Sequence, residues 1–257
     1  MKFKKPKLIC YDWDNTIVNT NPITLKALNL LYSKYGMPEL TMTDIIRING
    51  YYFADMFTAI FGKKNTLAIQ QEYQSIYDNY AKCMLQPLVG AVETIKMMND
   101  FGIKQVVISN KPSYIVKREA EAFHVLKYFE LIIGPTDSGY AKPDPRMFDP
   151  VYEKVEFKDK WFHPNKLWFF GDALVDAEFA KAINARLFFL GDPALINDFP
   201  LDQLVPLNAH SDLKNLEFEQ KEYKQSKNKQ ALFTQNGNQN INIVKKEQDV
   251  SILDNIL

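Results

Sequence analysis

The sequence predicts an α/β fold: a doubly wound, parallel, Rossmann-like sheet with a helical cap domain inserted into it. Three observations lead there. Short runs that are apolar at consecutive positions recur along the chain, which marks strands buried on both faces. Helical patterns separate these runs, and strand–helix alternation builds a parallel sheet covered on both sides. The first two runs lie about ninety residues apart, far more than one crossover helix needs.

The strands are predicted at "KLICYD" (7–12), "KQVVISN" (104–110), "ELIIGP" (130–135), "KLWFFGD" (166–172) and "RLFFLGD" (186–192). Helices fall between them at 90–101, 113–123 and 174–184, the first stopped by Gly102 as a left-handed cap. In the long interval, Asn21-Pro22 starts a helix with proline at its first position and Gly36 stops it. Further helical patterns follow at 51–61 and 66–83. Residues 18–88 therefore read as the helical cap, and residues 1–17 with 89–210 as the Rossmann-like core. An insertion there sits over the carboxyl ends of the strands, where ligands bind in such sheets. Residues 211–257 are rich in Asn, Gln and Lys and read as a polar, disordered tail. Its last stretch, "VSILDNIL", has the apolar spacing of one or two helical turns, with no defined role.

A chain of 257 residues holding 31 basic and 31 acidic side chains carries no nucleic-acid footprint and no polybasic membrane patch. Cys10 and Cys83 lack metal-type spacing, which favours a reducing compartment. No run reaches the length of a membrane span, and "MKFKKPKLICYD" lacks the long apolar segment of a secretory signal. A cytoplasmic protein is expected, a monomer or weak homodimer, with a small molecule rather than nucleic acid or membrane as its partner.

The chemistry lies at the strand ends. "CYDWDNTI" places Asp12 and Asp14 where the first strand emerges, with both side chains on one side of extended backbone. Alone, Asp-x-Asp-x-Thr is weak, arising by chance in roughly 3% of chains this long. The other strand ends strengthen it. "VVISNKP" delivers Ser109, Asn110 and Lys111, "GYAKPDP" delivers Lys142, and "FFGDALVDAE" delivers Asp172 and Asp176, four apart at a helix start. Four carboxylates converging on one point would repel each other and an anionic substrate. A divalent cation removes that conflict, and an all-oxygen set suits Mg²⁺. Lys142, the Ser109 hydroxyl and backbone amides near Trp13, Asp14 and Asn110 complete a cradle for a phosphoryl group. In it Asp12, touching the metal, attacks phosphorus as a carboxylate nucleophile. Asp14 gives a proton to the leaving alkoxide and takes one from the attacking water.

On these four motifs, "DWDNT", "ISNK", "AKPDP" and "GDALVD", the chain resembles the haloacid dehalogenase superfamily over roughly residues 7–192. Within it the chain is most similar to the phosphoglycolate phosphatase-like group with a cap between strands one and two. The resemblance implies Asp12 as nucleophile, Asp14 as acid/base, and Ser109 and Lys142 as phosphate ligands. It implies Asp172 as metal ligand, Asp176 as metal ligand or its support, and the Asp14 carbonyl on the metal. Departures are Trp13-Asp14-Asn15 where Phe-Asp-Gly is usual, Asn184-Ala185 where Ala-Gly is usual, and the long connection "EFKDKWFHPNK". The expected function is a magnesium-dependent phosphatase of a small phosphorylated metabolite, a phosphoglycolate-like monoester, working through an aspartyl-phosphate. A phosphomutase using the same motifs is the nearest alternative, and a retired enzyme serving as a binding or regulatory module the other. A dehalogenase would leave Asp14 no proton to manage.

Blander roles sit beside these. Ser109 also suits a helix N-cap, and Lys111 either a substrate contact or a solvated surface residue. "RINGYYFADMF" is a candidate loop over the leaving group; Phe53 and Phe57 read as cap core, and Tyr51 is left open. His124, His163 and His210 read as structural. "FGKKNT" lacks the upstream glycine of a P-loop.

Overall fold

Strand β2 (Leu8–Tyr11) forms the centre of a six-stranded sheet whose strands are all parallel. The computed structural model describes residues 2–48, 57, 58, 60–62, 66–155, 163 and 165–219. Most of the helix expected at 51–61, the Asn49–Phe53 loop, most of the connection before the fourth predicted strand and the tail from 220 lie outside the described residues.

The other strands of this sheet are β3 (Lys104–Ile108), β4 (Leu131–Ile133), β5 (Leu167–Gly171), β6 (Arg186–Phe189) and β7 (Leu204–Pro206). Their order is β4-β3-β2-β5-β6-β7, the doubly wound order in which the winding reverses between β2 and β5. Alternation divides each strand between two layers. Ile9, Tyr11, Trp168, Phe170 and Phe188 face one core; Leu8, Cys10, Phe169, Leu187 and Phe189 face the other. Helices α4 (Ala91–Asp100) and α5 (Ser113–Ala122) cover the first face, through Ile95, Met98, Val116 and Ala120. Helices α7 (Asp149–Lys154) and α8 (Leu174–Ala182) cover the second, through Val151, Ala177 and Phe179. A short α6 (Pro135–Ser138) follows β4.

The interval between β2 and β3 holds α1 (Asn21–Lys34), α2 (Met42–Ile48) and α3 (Thr66–Met84), and residues 57, 58, 60 and 61 are also helical. Phe57 is fully buried, edge-on to Tyr73 at 5.4 Å between ring centres. The predicted helix ends hold. Gly36 and Gly102 both adopt φ +66, and Ile103 N–H donates back to the Met98 carbonyl at 3.1 Å, the closing bond of a Schellman motif. Asn184 takes the same left-handed place after α8, at φ 54. Asparagine tolerates that conformation better than other side chains do, so this departure from the family pattern costs little. Pro22 is the second helical residue rather than the first, because Thr20 is the N-cap.

The expected tail boundary at residue 211 is corrected. His210–Leu213 forms a 3₁₀ turn, and β8 (Glu217–Phe218) pairs in parallel with β1 (Lys2–Phe3). Leu213 and Leu216 enter the core, and Phe218 packs on Phe101 at 4.9 Å. A few spaced apolar residues suffice to dock this segment, and averaging their neighbours' polarity hides them. His210 is structural, as expected. Its buried ring stacks on Phe170, and Nε2–H donates to the Thr16 carbonyl at 2.7 Å, so burial keeps the imidazole neutral with a lowered pKa.

Asn15 combines two local functions. It adopts φ 55, and its Oδ1 accepts from Thr20 N at 3.2 Å and Asn21 N at 3.1 Å. It thus satisfies orphan amides at the start of α1. Asn15→Ala should cost about 2 kcal/mol, from the lost cap and the left-handed backbone. Asn15→Gly should cost less than about 1 kcal/mol, since only the cap is lost. Urea unfolding of both variants checks the difference, and equal losses would discard the backbone contribution.

Candidate active site

Every predicted site residue lines one cavity of about 180 Å³ at the carboxyl edge of the sheet, beside the β2/β5 switch point. Tyr73 and Tyr77 of α3 and Ile48 of α2 close its other side. The chain leaves β2 at Tyr11, and Ile17 N and Val18 N both donate to the Trp13 carbonyl, at 2.9 and 3.1 Å. This tight loop, anchored by the buried Trp13 ring, aims Asp12 and Asp14 at different neighbours.

Asp12 meets Lys142. The Lys142 ammonium, on a side chain only 2% exposed, donates to Asp12 Oδ1 and Asp176 Oδ1, each at 2.6 Å. Its backbone is set by Asn110, whose carboxamide accepts from Lys142 N at 2.8 Å and donates to Lys142 O at 3.1 Å. The following Lys142–Pro143 peptide is cis. Asp176 spends its second oxygen on Asp172 N and Ala173 N, both at 3.1 Å. Asp172 precedes α8 rather than sharing its face, and this carboxylate-to-amide clasp is what joins the two residues. A Cβ at Gly171 would lie 2.4 Å from Asp176 Cβ, so the clasp requires glycine at the end of β5. Thr16 donates to Asp172 Oδ1 at 3.2 Å.

The cluster is electrostatically tense. Burial, then Asp176 and Asp14, push the Asp12 carboxyl up to about 7 against the pull of Lys142. Burial, then Asp176 and Asp12, lift Asp172 well above the usual range. Burial opposes charge on Lys142, but Asp12 and Asp176 outweigh it and keep it protonated. Asp12, Asp172 and Asp176 each bring one oxygen within 4.8 Å of the others. Among the described residues this all-oxygen set fits a hard cation, which would relieve the repulsion.

Asp14 is turned away from that point, so three carboxylates converge rather than the expected four. Its Oδ1 accepts from Lys111 Nζ at 2.9 Å. Lys111 is partnered rather than solvated. It also donates to Glu119 Oε2 at 2.9 Å and to the Tyr77 hydroxyl at 3.0 Å. Trp13 Nε1 donates to the same Glu119 oxygen at 2.7 Å. Ser109 is not the N-cap of α5, a place taken by Pro112. Its buried hydroxyl accepts from Lys111 N at 3.2 Å, which leaves its hydrogen available to the cavity.

Sequence reasoning passed over Glu119, Tyr77 and Thr16. Thr16 sits inside the first motif. Glu119 lies in α5, eight residues after Lys111, which precedes that helix, and sequence spacing does not separate it from a surface glutamate.

A doubly wound parallel sheet with carboxylates and a buried lysine at its switch point defines a Rossmann-like α/β enzyme. The haloacid dehalogenase-like hydrolase family matches residues 9–190, and the chain belongs to it. A phosphoglycolate phosphatase from Thiobacillus denitrificans is 25% identical over 226 residues, covering 80% of this chain and 94% of that protein. Phosphoglycolate phosphatase 1 from Pseudomonas aeruginosa is 25% identical over 191 residues, covering 70% of this chain and 68% of that protein. Among solved structures, CbbY from Rhodobacter sphaeroides, in complex with phosphate, shares the fold at a TM-score of 0.66 and 15% identity. That likeness covers 81% of this chain and 96% of CbbY. No helix among the described residues is long and apolar enough to cross a membrane.

Proposed function

We propose that the protein is a magnesium-dependent cytoplasmic phosphatase that hydrolyses a small phosphorylated metabolite, a phosphoglycolate-like monoester, through an aspartyl-phosphate. The observation that carries this reading is the Asp12–Lys142–Asp176 ion cluster with Asp172 beside it, at the β2/β5 switch point. The names of the phosphatase relatives support it. Helices α1–α3 act as the cap over the leaving group.

Asp12 attacks phosphorus as the bond to the leaving oxygen breaks, and Asp14 supplies that oxygen with a proton. Water then attacks the aspartyl-phosphate, Asp14 takes its proton, and inorganic phosphate leaves Asp12. Lys142 and the Ser109 hydroxyl hold the phosphoryl oxygens, and Asn110 holds Lys142 in place. Asp12, Asp172 and the Asp14 carbonyl are the ligands proposed for Mg²⁺, which when bound offsets charge between nucleophile and phosphate. Asp176, with both oxygens engaged, orients Lys142 and the Asp172 turn.

The test is phosphate release from p-nitrophenyl phosphate with Mg²⁺ and with excess chelator. Release with the metal, abolished by chelation and accompanied by acid-stable trapping of phosphate on Asp12, is the expected result. Folded protein that releases no phosphate from this ester or from phosphoglycolate would overturn the reading.

A further inference from the structure

We infer that Glu119 is a positioning residue for Asp14: acting through Lys111, it orients the carboxyl that serves the leaving oxygen. The inference rests on the phosphatase reading above and adds to it a residue outside the four motifs. An ammonium has three hydrogens, and Lys111 Nζ has three acceptors arranged about it: Asp14 Oδ1, Glu119 Oε2 and the Tyr77 hydroxyl. The Tyr77 ring lies 4.8 Å from the same nitrogen. With every donor directed, Lys111 is a fixed strut. Asp14, whose side chain is 34% exposed toward the cavity, takes its orientation from that strut.

Glu119 is the buried end of the arrangement, at 4% exposure. One oxygen, Oε2, receives both Lys111 Nζ and Trp13 Nε1, so Glu119 grips the nucleophile loop between its two aspartates and also steadies Asp14. The other oxygen, Oε1, has no partner among the described residues. A buried carboxylate carries a desolvation cost that an apolar residue would avoid. Space-filling on α5 therefore does not account for it, whereas a fixed acceptor for two loop-bound donors does. A glutamine that keeps its carbonyl oxygen at the Oε2 position preserves both hydrogen bonds.

The test compares two esters on full-length protein with Mg²⁺. p-Nitrophenyl phosphate expels a phenolate that needs little protonation, whereas ethyl phosphate expels an alkoxide that depends on Asp14. Glu119→Ala should lower kcat for ethyl phosphate about tenfold, and for p-nitrophenyl phosphate by less than about twofold. Glu119→Gln should stay within about threefold of wild type on both. Lys111→Met, which cuts the strut itself, should show the same ester dependence as Glu119→Ala. Equal losses on the two esters, or a glutamine variant as poor as the alanine one, would overturn the assignment. A crystal structure of Glu119→Ala gives a readout independent of turnover: the Lys111–Asp14 hydrogen bond should be lost. If that bond persists unchanged, the assignment fails. If wild type hydrolyses neither these esters nor phosphoglycolate, the phosphatase reading fails while the structure still decides the positioning role.

Discussion

Asp12→Asn should lower magnesium-supported hydrolysis of p-nitrophenyl phosphate roughly 10⁴-fold while the chain stays folded. Asparagine has nearly the shape of aspartate, but its amide oxygen does not displace an alkoxide from phosphorus. In the native cluster Asp12 is the carboxyl that burial lifts to about 7, from an unfolded value near 3.8. A carboxyl whose folded pKa is raised binds more protons folded than unfolded between those values, so stability falls as pH rises through that window. The asparagine carries no such ionisation. Metal-free Asp12→Asn should therefore match or exceed wild-type stability above about pH 7. Phosphate release and thermal unfolding, measured on one preparation, check both halves. Activity above about a tenth of wild type would remove Asp12 as nucleophile.

Lys142→Met should abolish activity and also unbalance the fold. The ammonium is the shared partner of Asp12 and Asp176, and removing one member of a buried ion pair costs about 3–5 kcal/mol. The folded pKa of Lys142 lies above its unfolded value, so its contribution is present at all pH values below about 10.5 and fades only above that. The pH dependence of the deficit comes from Asp12. Without Lys142 the Asp12 carboxyl rises further, and the variant continues to lose stability where wild type has already ionised. The deficit should be smaller near about pH 5 and larger near about pH 8. Urea unfolding at the two pH values measures it. A deficit that does not change with pH would mean that Lys142 acts by packing alone.

Much of this site was legible in the chain. The strand runs, the helix stops at Gly36 and Gly102, and the residue types of the four motifs depend on neighbours close in sequence, where propensity and periodicity act. Shorter elements were missed. Helix α2 carried a signal in Thr41 and Asp44, which form a capping box with Thr41 N donating to Asp44 Oδ2 at 2.8 Å. Strand β7 spans three residues and ends in proline, too short for any period to register. The segment at 211–219 was lost in the polar composition that follows it.

The sequence by itself determined the class of sheet, the order of its motifs and the acidic, lysine-bearing chemistry at its edge, because each is written in short stretches. Tertiary structure alone decided which carboxylate meets which lysine. Lys142 reaches Asp12 across 130 residues and Lys111 reaches Asp14 across 97, so both pairings depend on strand order and helix packing rather than on spacing. The same packing placed Glu119 beneath Trp13, across 106 residues. A glutamate on one helical turn looks like any other until the sheet brings its partners to it.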